Sequence, residues 1–226
     1  MEIKQILAHQ SNYNKGRKQN IQYIVVHYTA NNGDTAQGNG NYFSQANRNA
    51  SAHYFVDESN IVQSVKDIDT AWHCGAKSYK HLKCRNDNSI GVEMCSEKDQ
   101  NGQYYINQAT QNTAVELIKI LMEKYSIPIE NVIRHYDVTG KICPEPFVRN
   151  LVQWLDFKKK LSENDKKEEK EMIYNTIEEV PKWAKPTIEK LVKKKALVGN
   201  EKGELMLTYA MLRIYVSHDS LGLYDR

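Results

Sequence analysis

Apolar residues in the first two thirds of the chain alternate between short β-branched runs and stretches with helical spacing. The run "IQYIVVHYT" is bounded by polar and Gly-containing sequence and predicts a central strand. "SAHYFVDESNIVQSV" contains two apolar segments around the turn-like "DESN", which predicts a hairpin. "SIGVEMCS" and "NVIRH" predict two further short strands. The pattern therefore indicates a β-sheet interleaved with helices.

Two segments have the periodicity of amphipathic helices. In "NQATQNTAVELIKILMEKYSI" apolar residues recur at steps of three and four, so one face is predicted to be buried, and Pro128 marks the end of the helix. "VRNLVQWLDFKKKL" predicts a second amphipathic helix. Strands that alternate with helices are typical of the α/β class.

A break in composition separates the last quarter of the chain from the rest. "SENDKKEEKEM" is almost entirely charged and cannot bury enough apolar surface to offset its ordering entropy. We therefore predict a first domain at residues 1–160, a charged linker at 161–173 and a small helical module at 174–226. Two short helices bury little apolar surface alone, so the module is predicted to dock on the first domain or on a copy of itself.

Composition narrows the classes of protein that the chain can represent. Of its 226 residues, 40% are hydrophobic and 26% are charged, which is typical of a globular protein. The net charge of +3 is too small to indicate a nucleic-acid partner. Apolar runs fall short of the roughly 18 residues of a membrane span. "MEIKQILAHQ" lacks the basic and apolar segments of a secretory signal, so action outside the cell would require some other exit.

The four cysteines have irregular spacing and form no CxxC pair. Without an export signal, this pattern favours burial or metal binding over a disulfide framework. We assign structural roles to Cys74, Cys84 and Cys95.

Candidate chemistry concentrates in "RHYDVTGKICPEP", which holds His135 and Cys143 in one turn-forming segment. A catalytic Zn²⁺ takes three protein ligands plus water, and His and Cys are among its preferred donors. His27, at the end of the predicted central strand, is the third candidate. Taken singly, a strand histidine or a cysteine is more often a buried structural residue.

Five motifs in this order, "IVVHYT", "SAHYFVD", "AWHCGA", "SIGVEMCS" and "RHYDVTGKICPEP", resemble those of the zinc-dependent N-acetylmuramoyl-L-alanine amidases of the type-2 group. These enzymes are related in fold to peptidoglycan recognition proteins and are common as phage endolysins. The resemblance covers roughly residues 1–158. It implies an α/β fold with a mixed central β-sheet flanked by helices, and Zn²⁺ bound by His27, His135 and Cys143.

The resemblance also implies roles for other side chains. Lys141 matches the catalytic lysine of the family, and Glu93 matches the general base of the most similar branch. In a second branch a tyrosine on the "SAHYFV" strand is the base, near the position of His53 or Tyr54 here. The "AWHCGA" segment is similar to one that lines the substrate groove. It implies substrate contacts for Trp72 and His73, to which we add Tyr54; packing against Trp72 is the alternative role for His73.

The resemblance implies a peptidoglycan hydrolase that cleaves the bond between N-acetylmuramic acid and L-alanine, as a phage or prophage endolysin that stays in the host cytoplasm until it is released. The alternatives are a non-catalytic peptidoglycan-binding module of the same fold and a zinc-stabilised interaction protein. The C-terminal pattern weakly resembles a single S-layer-homology repeat. It implies that residues 174–226 bind a secondary cell-wall polymer or form a homo-oligomer, with packing on the first domain as the alternative.

Overall fold

A computed structural model describes residues 2–163 and 172–225. The chain divides into two compact units, Met1–Glu163 and Asn164–Arg226, each of which is described by itself. Within the described ranges, none of the helices combines the length and the apolar character required to cross a membrane.

Over residues 2–163, the first unit contains short strands and five α-helices. Its strands are β1 (Ile3–Gln5), β2 (Tyr13–Asn14), β3 (Tyr23–Tyr28), β4 (Tyr54–Val56), β5 (Ile61–Gln63), β6 (Thr70–Ala71), β7 (Ser89–Met94), β8 (Glu97–Lys98), β9 (Tyr104–Tyr105) and β10 (Val132–Arg134). Its helices are α1 (Ala36–Phe43), α2 (Gln108–Tyr125), α3 (His135–Thr139), α4 (Glu145–Arg149) and α5 (Leu151–Ser162). Short 3-10 turns cover Gln10–Asn12, Asn86–Asn88 and Ile129–Asn131.

Six of the strands form one mixed sheet in the order β1-β5-β4-β7-β3-β10. The central strand β3 is parallel to both neighbours, β7 and β10. Strands β4 and β5 are antiparallel, as expected of the predicted hairpin. The predicted fold class, a mixed central sheet with flanking helices, is confirmed.

The two faces of the sheet have different roles because successive side chains of a strand point to opposite sides. On one face Ile24, Val26, Ile90 and Val92 pack against α2 and α5 in the largest buried cluster of the unit. The alternate positions of β3 and β7, which include His27 and Glu93, point to the other face. The sheet therefore separates the main core from the candidate chemistry.

Helix α2 confirms the prediction from its apolar period. Asn107 caps its N-terminus by accepting a hydrogen bond from the backbone N–H of Thr110. The helix ends where Ser126 adopts a left-handed conformation, two residues before Pro128. Its buried face contributes Ala114, Leu117 and Ile118 to the core, each with no exposed surface.

The second predicted helix is interrupted. Residues 148 and 149 belong to α4, and α5 begins only at Leu151. Asn150 causes the break, because its side-chain oxygen accepts from the backbone N–H groups of Val152 and Gln153 and so caps α5. The predicted linker also begins too early, since Leu161 lies in α5 and is 5% exposed within the core. Residues 164–171 of that linker lie outside the described residues.

Helix α1 has no apolar period that predicts it, since its sequence is "AQGNGNYF". Thr35 caps it by accepting from the backbone N–H of Gly38. Gly40 permits a close approach to the sheet: a Cβ at this position would lie 2.9 Å from Val62 and 3.0 Å from Ile6. Close packing against the sheet, rather than helix propensity, holds this element.

The second unit contains α6 (Lys185–Lys193) and α7 (Tyr209–Ser220) around its own small core. Tyr174 pairs with Leu207 in an antiparallel bridge. Trp183 precedes α6. Its side chain is 45% exposed and packs edge-on against Tyr209.

Candidate active site

Three neighbouring parallel strands bring the predicted ligands together. On β7, Glu93 is the register partner of His27 on β3. On the other side of β3, Arg134 of β10 pairs with Val26, so the next residue, His135, begins α3 level with His27. The rings of His27 and His135 are 4.6 Å apart between centroids. Strand register alone therefore aligns the two histidines with the carboxylate.

A tight return of the chain adds the thiol to this group. Helix α3 ends at Gly140, whose φ of +85° lies in the left-handed region that favours glycine. The chain then turns back, and the carbonyl of Cys143 accepts from the backbone N–H of Tyr136 at 2.9 Å. The Sγ atom of Cys143 lies 3.7 Å from Nδ1 of His27.

The donor atoms of His27, His135 and Cys143 all lie within 4.8 Å of one another. Their side chains are buried, and the Nδ1 atom of His135 has no hydrogen-bond partner among the described residues. A buried imidazole nitrogen without a partner is costly unless it binds something else. Two imidazoles and one thiol form a donor set that suits Zn²⁺.

Electrostatics keep these histidines neutral. Burial lowers the pKa of His27 well below its usual range, and the neighbouring histidines and Lys141 lower it further. Burial, followed by the charge of Lys141, lowers the pKa of His135 to about 3. A neutral imidazole retains a lone pair, which is the form that binds a metal. Burial raises the pKa of Cys143 to about 12, so the thiol must release a proton when it binds a cation.

Glu93 lies next to these donors, with Oε1 3.8 Å from Nδ1 of His27. Its Oε2 atom is buried and has no partner among the described residues, while the side chain as a whole is 19% exposed. Burial raises the pKa of Glu93 to about 8, although the charge of Lys141 acts in the opposite direction. A carboxyl group with a pKa near neutrality can both accept and donate a proton in one reaction cycle.

Two cavities meet beside this group of side chains, at His135. One, of about 710 Å³, extends past Tyr28, Tyr42 and Phe55. The other, of about 680 Å³, extends past Lys77 and Asn86. The residues that line both cavities are Ala50, Trp72, His73, His135 and Lys141. The two cavities together offer room for a long substrate, with one segment in each cavity.

The structure brings most of the predicted site residues to this junction. Trp72 and Lys141 line both cavities, and Lys141 is exposed on the loop that follows α3. His73 lines the junction too, but both of its ring nitrogens have protein partners, His27 and Ser89. The sequence predicted that His73 either contacts the substrate or packs against Trp72, and neither role includes these two hydrogen bonds.

Tyr54 does not reach the cleft, which corrects its prediction as a substrate-binding residue or base. Its side chain is 3% exposed and belongs to the main core, and its hydroxyl donates to Asp67 at 2.6 Å. The next residue, Phe55, lines the cleft instead because alternate side chains of β4 face opposite sides. His53 is fully buried and its Nδ1 accepts from the backbone N–H of Gly91, so it is not placed to act as the base.

The sequence did not predict that α1 and the loop before it form one side of the larger cavity. Asn31, Asp34, Asn39 and Tyr42 line the larger cavity. Asp34 accepts hydrogen bonds from Asn31 at 3.0 Å and from Asn39 at 2.6 Å, and so links the loop to α1. The segment "NNGDTAQGNGNY" is rich in polar residues, and that was the available signal.

Comparison with known proteins identifies related chains. The family model Amidase_2, described as N-acetylmuramoyl-L-alanine amidase, matches residues 17–146. A probable N-acetylmuramoyl-L-alanine amidase of Bacillus licheniformis is 36% identical over 149 residues, which make up 62% of this chain and 41% of that protein. The N-acetylmuramoyl-L-alanine amidase BlyA of Bacillus subtilis strain 168 is 35% identical over 156 residues, which make up 63% of this chain and 41% of that protein. The chain thus spans about two fifths of the length of these curated relatives.

Solved structures show the same fold. The catalytic domain of XlyA aligns with 72% of this chain and 100% of its own, at a TM-score of 0.60 and 28% identity. The structure of PlyL aligns with 73% of this chain and 99% of its own, at a TM-score of 0.60 and 30% identity.

Proposed function

Because the chain belongs to the N-acetylmuramoyl-L-alanine amidase family, we propose that it hydrolyses the amide bond between N-acetylmuramic acid and L-alanine in peptidoglycan. One observation carries the proposal. The donor atoms of His27, His135 and Cys143 converge beside Glu93, at the junction of two cavities that can hold a long substrate.

The donor set supports Zn²⁺ as the cofactor, held by His27, His135 and Cys143. Neutral imidazoles, a thiol and the partnerless Nδ1 of His135 suit this ion. When bound, Zn²⁺ supplies a Lewis acid that acidifies water and polarises a carbonyl group.

Glu93 is the proposed general base and acid. In its ionised form it accepts a proton from the attacking water, and it then donates this proton to the leaving amine of L-alanine. Burial raises its pKa to about 8, which makes the carboxylate a stronger base than that of an exposed glutamate. Its place on β7, inside the sheet, keeps the carboxyl group close to the three donors.

Lys141 is the proposed electrostatic stabiliser. Its ammonium group lies on the exposed loop at the junction of the cavities, near enough to the buried groups to lower the pKa of both His135 and Glu93. A positive charge at this point favours the negative charge that develops on the amide oxygen in the transition state. Trp72, which lines both cavities, is the proposed apolar contact for the substrate.

Glu93 and Lys141 favour an enzyme over the alternative, a peptidoglycan-binding module of the same fold. Binding alone requires neither a buried carboxyl group of raised pKa nor a cation beside it. Related chains carry names such as N-acetylmuramoyl-L-alanine amidase and endolysin, which supports action at the bacterial cell wall as a phage or prophage endolysin. Retention in the host cytoplasm before release stays a prediction.

For the second unit we keep two proposals, binding of a secondary cell-wall polymer and self-association. Trp183 and Tyr209 are 45% and 51% exposed and form one aromatic pair, which is the surface that either role would use. Co-sedimentation of the Trp183→Ala chain with walls, and its sedimentation velocity without walls, distinguish the two roles. Met206→Ala, at a residue that is also 45% exposed, is the matched control.

Mass spectrometry of digested peptidoglycan tests the proposed reaction. The expected result is new L-alanine amino termini together with intact glycan strands. New reducing ends of the glycan, or cleavage within the stem peptide, would overturn the assignment of the bond. Walls that stay undigested by the zinc-loaded chain would favour the binding module.

A further inference from the structure

The ring of His73 is held in a fixed place beside the metal-donor group. The side-chain oxygen of Asn86 accepts from the backbone N–H groups of both His73 and Cys74, at 3.2 and 2.8 Å. The His73 side chain is only 9% exposed. Its ring stands edge-on to the ring of His27, with an interplanar angle of 86°.

Gly91 on β7 makes room for this ring. A Cβ atom at residue 91 would lie 2.6 Å from Cγ of His73 and 2.8 Å from its Nδ1, closer than two such atoms can approach. The absence of a side chain at Gly91 therefore allows the imidazole of His73 to lie directly against the strand that also carries Glu93.

A continuous series of hydrogen bonds links the Arg85 carbonyl, Ser89, His73 and His27. The hydroxyl of Ser89 donates its single hydrogen to the carbonyl of Arg85 at 2.6 Å. Its oxygen, 3.2 Å from Nε2 of His73, must therefore accept the hydrogen of that nitrogen. In the neutral form of His73 the only N–H group is then at Nε2, and Nδ1 is an acceptor.

The acceptor at His73 determines the tautomer of His27. Nε2 of His27 lies 3.1 Å from Nδ1 of His73, and because the latter accepts, the hydrogen belongs to Nε2 of His27. Nδ1 of His27 is then left with its lone pair. This atom faces Sγ of Cys143 at 3.7 Å, on the side where the three donors converge.

We propose that His73 is a positioning residue that holds His27 in the tautomer whose Nδ1 can bind a cation, with Ser89 and the Arg85 carbonyl completing the relay. The inference rests on the proposed function, because it takes His27 to be a metal ligand. It assigns His73 a role in metal affinity rather than in contact with peptidoglycan. Mutation of a residue that hydrogen-bonds to a metal ligand typically weakens metal affinity by about 10- to 100-fold.

The tautomer can be read without any metal. Two-dimensional ¹H–¹⁵N spectra of the metal-free full chain, labelled at histidine, distinguish a protonated Nε2 from a protonated Nδ1. The expected result is protonated Nε2 at His27 in the unmodified chain and a mixture of tautomers in His73→Leu. A protonated Nδ1 at His27 in the unmodified chain, or an unchanged tautomer in His73→Leu, would refute the relay.

Zinc affinity, measured by competition with a chelator, is the second readout. We expect about 10- to 100-fold weaker binding in His73→Leu and about 10-fold weaker binding in Ser89→Ala, which removes the hydrogen bond on the far side of His73 from His27. His73→Asn retains a side-chain acceptor near the position of Nδ1 and should recover part of the affinity. Ser64→Ala is the matched control, because Ser64 is equally buried but its hydroxyl has no partner among the described residues.

The outcomes separate the two proposals. Wild-type affinity in both His73→Leu and Ser89→Ala, or an equal loss in Ser64→Ala, would overturn the positioning role. If the unmodified chain itself fails to bind zinc, the proposed metal site fails, and the tautomer of His27 still decides whether His73 orients it. Urea denaturation of each metal-free variant identifies any loss of affinity caused by misfolding.

Discussion

His27 and Glu93 are direct register partners on two parallel strands, and Nδ1 of the histidine lies 3.8 Å from Oε1 of the carboxylate. Both strands have a paired neighbour on each side in the six-stranded sheet, so the backbone of neither residue can shift without breaking strand hydrogen bonds. A candidate metal ligand and a candidate base thus have a separation set by backbone hydrogen bonds rather than by flexible loops.

Removing the thiol of Cys143 should abolish stable zinc binding. Cys143→Ala leaves two imidazole donors, too few for a closed set of three protein ligands. Zinc content after dialysis should fall from one equivalent to near zero, together with wall lysis. Cys95→Ala, at another buried free cysteine, should keep the metal. Full zinc occupancy in Cys143→Ala would contradict the ligand assignment.

Replacing Glu93 should separate metal binding from catalysis. Glu93→Gln keeps the size of the side chain but cannot accept a proton, so we expect the rate of wall lysis to fall by about 10²- to 10⁴-fold with zinc still bound. Turbidity loss and zinc content, measured on the same preparation, test this expectation. The control is Glu116→Gln, at an exposed glutamate of α2. Normal lysis by Glu93→Gln would rule out this residue as the base.

Lys141→Met should lower kcat by about 10²- to 10³-fold, because the side chain no longer carries a charge to stabilise the oxyanion. The measurement is initial rates on a soluble muramyl-peptide substrate. Zinc affinity should not decrease, since Lys141 is not among the donors. Lys159→Met, at a lysine of α5 whose side chain is 75% exposed, should leave the rate unchanged. A rise in KM with unchanged kcat would show instead that Lys141 only binds substrate.

Asp67 should support the first unit in a pH-dependent way. Burial acts to raise its pKa, but hydrogen bonds from Tyr125, Tyr54 and Lys124 outweigh burial and hold the pKa below its ordinary value. A lowered folded-state pKa stabilises the fold above the unfolded-state pKa, and this contribution is lost as the pH falls through the folded-state value. We expect Asp67→Asn to reduce the free energy of unfolding at pH 7 by ~1–3 kcal/mol.

Urea denaturation at several pH values tests this prediction. The difference between the unmodified chain and Asp67→Asn should be constant from pH 7 to about pH 5 and should shrink below about pH 4. Asp156→Asn, at an exposed residue of α5, is the control and should show no such difference. A difference that grows on acidification would contradict the assigned direction of the pKa shift.

Much of the fold could be predicted because local sequence patterns correspond to local structure. The apolar period of α2 and the β-branched run of β3 indicated both elements. The break at Asn150 was missed because a capping residue inside a continuous amphipathic pattern looks like any other polar position. Helix α1 was missed because its packing against β5, through Gly40, depends on residues far away in the sequence.

By itself, the sequence determined the candidate donors and the candidate base, because residue type sets which atoms can bind a metal or carry a proton. Only the tertiary structure decided which of them meet. In the segment "SAHYFVD" both faces of the strand are buried, so no alternation of polar and apolar residues shows that Phe55 faces the cleft and Tyr54 the core. The partners of His73 could not be found either, since His27 and Ser89 are 46 and 16 positions away and reach it only through the pairing of β3 with β7.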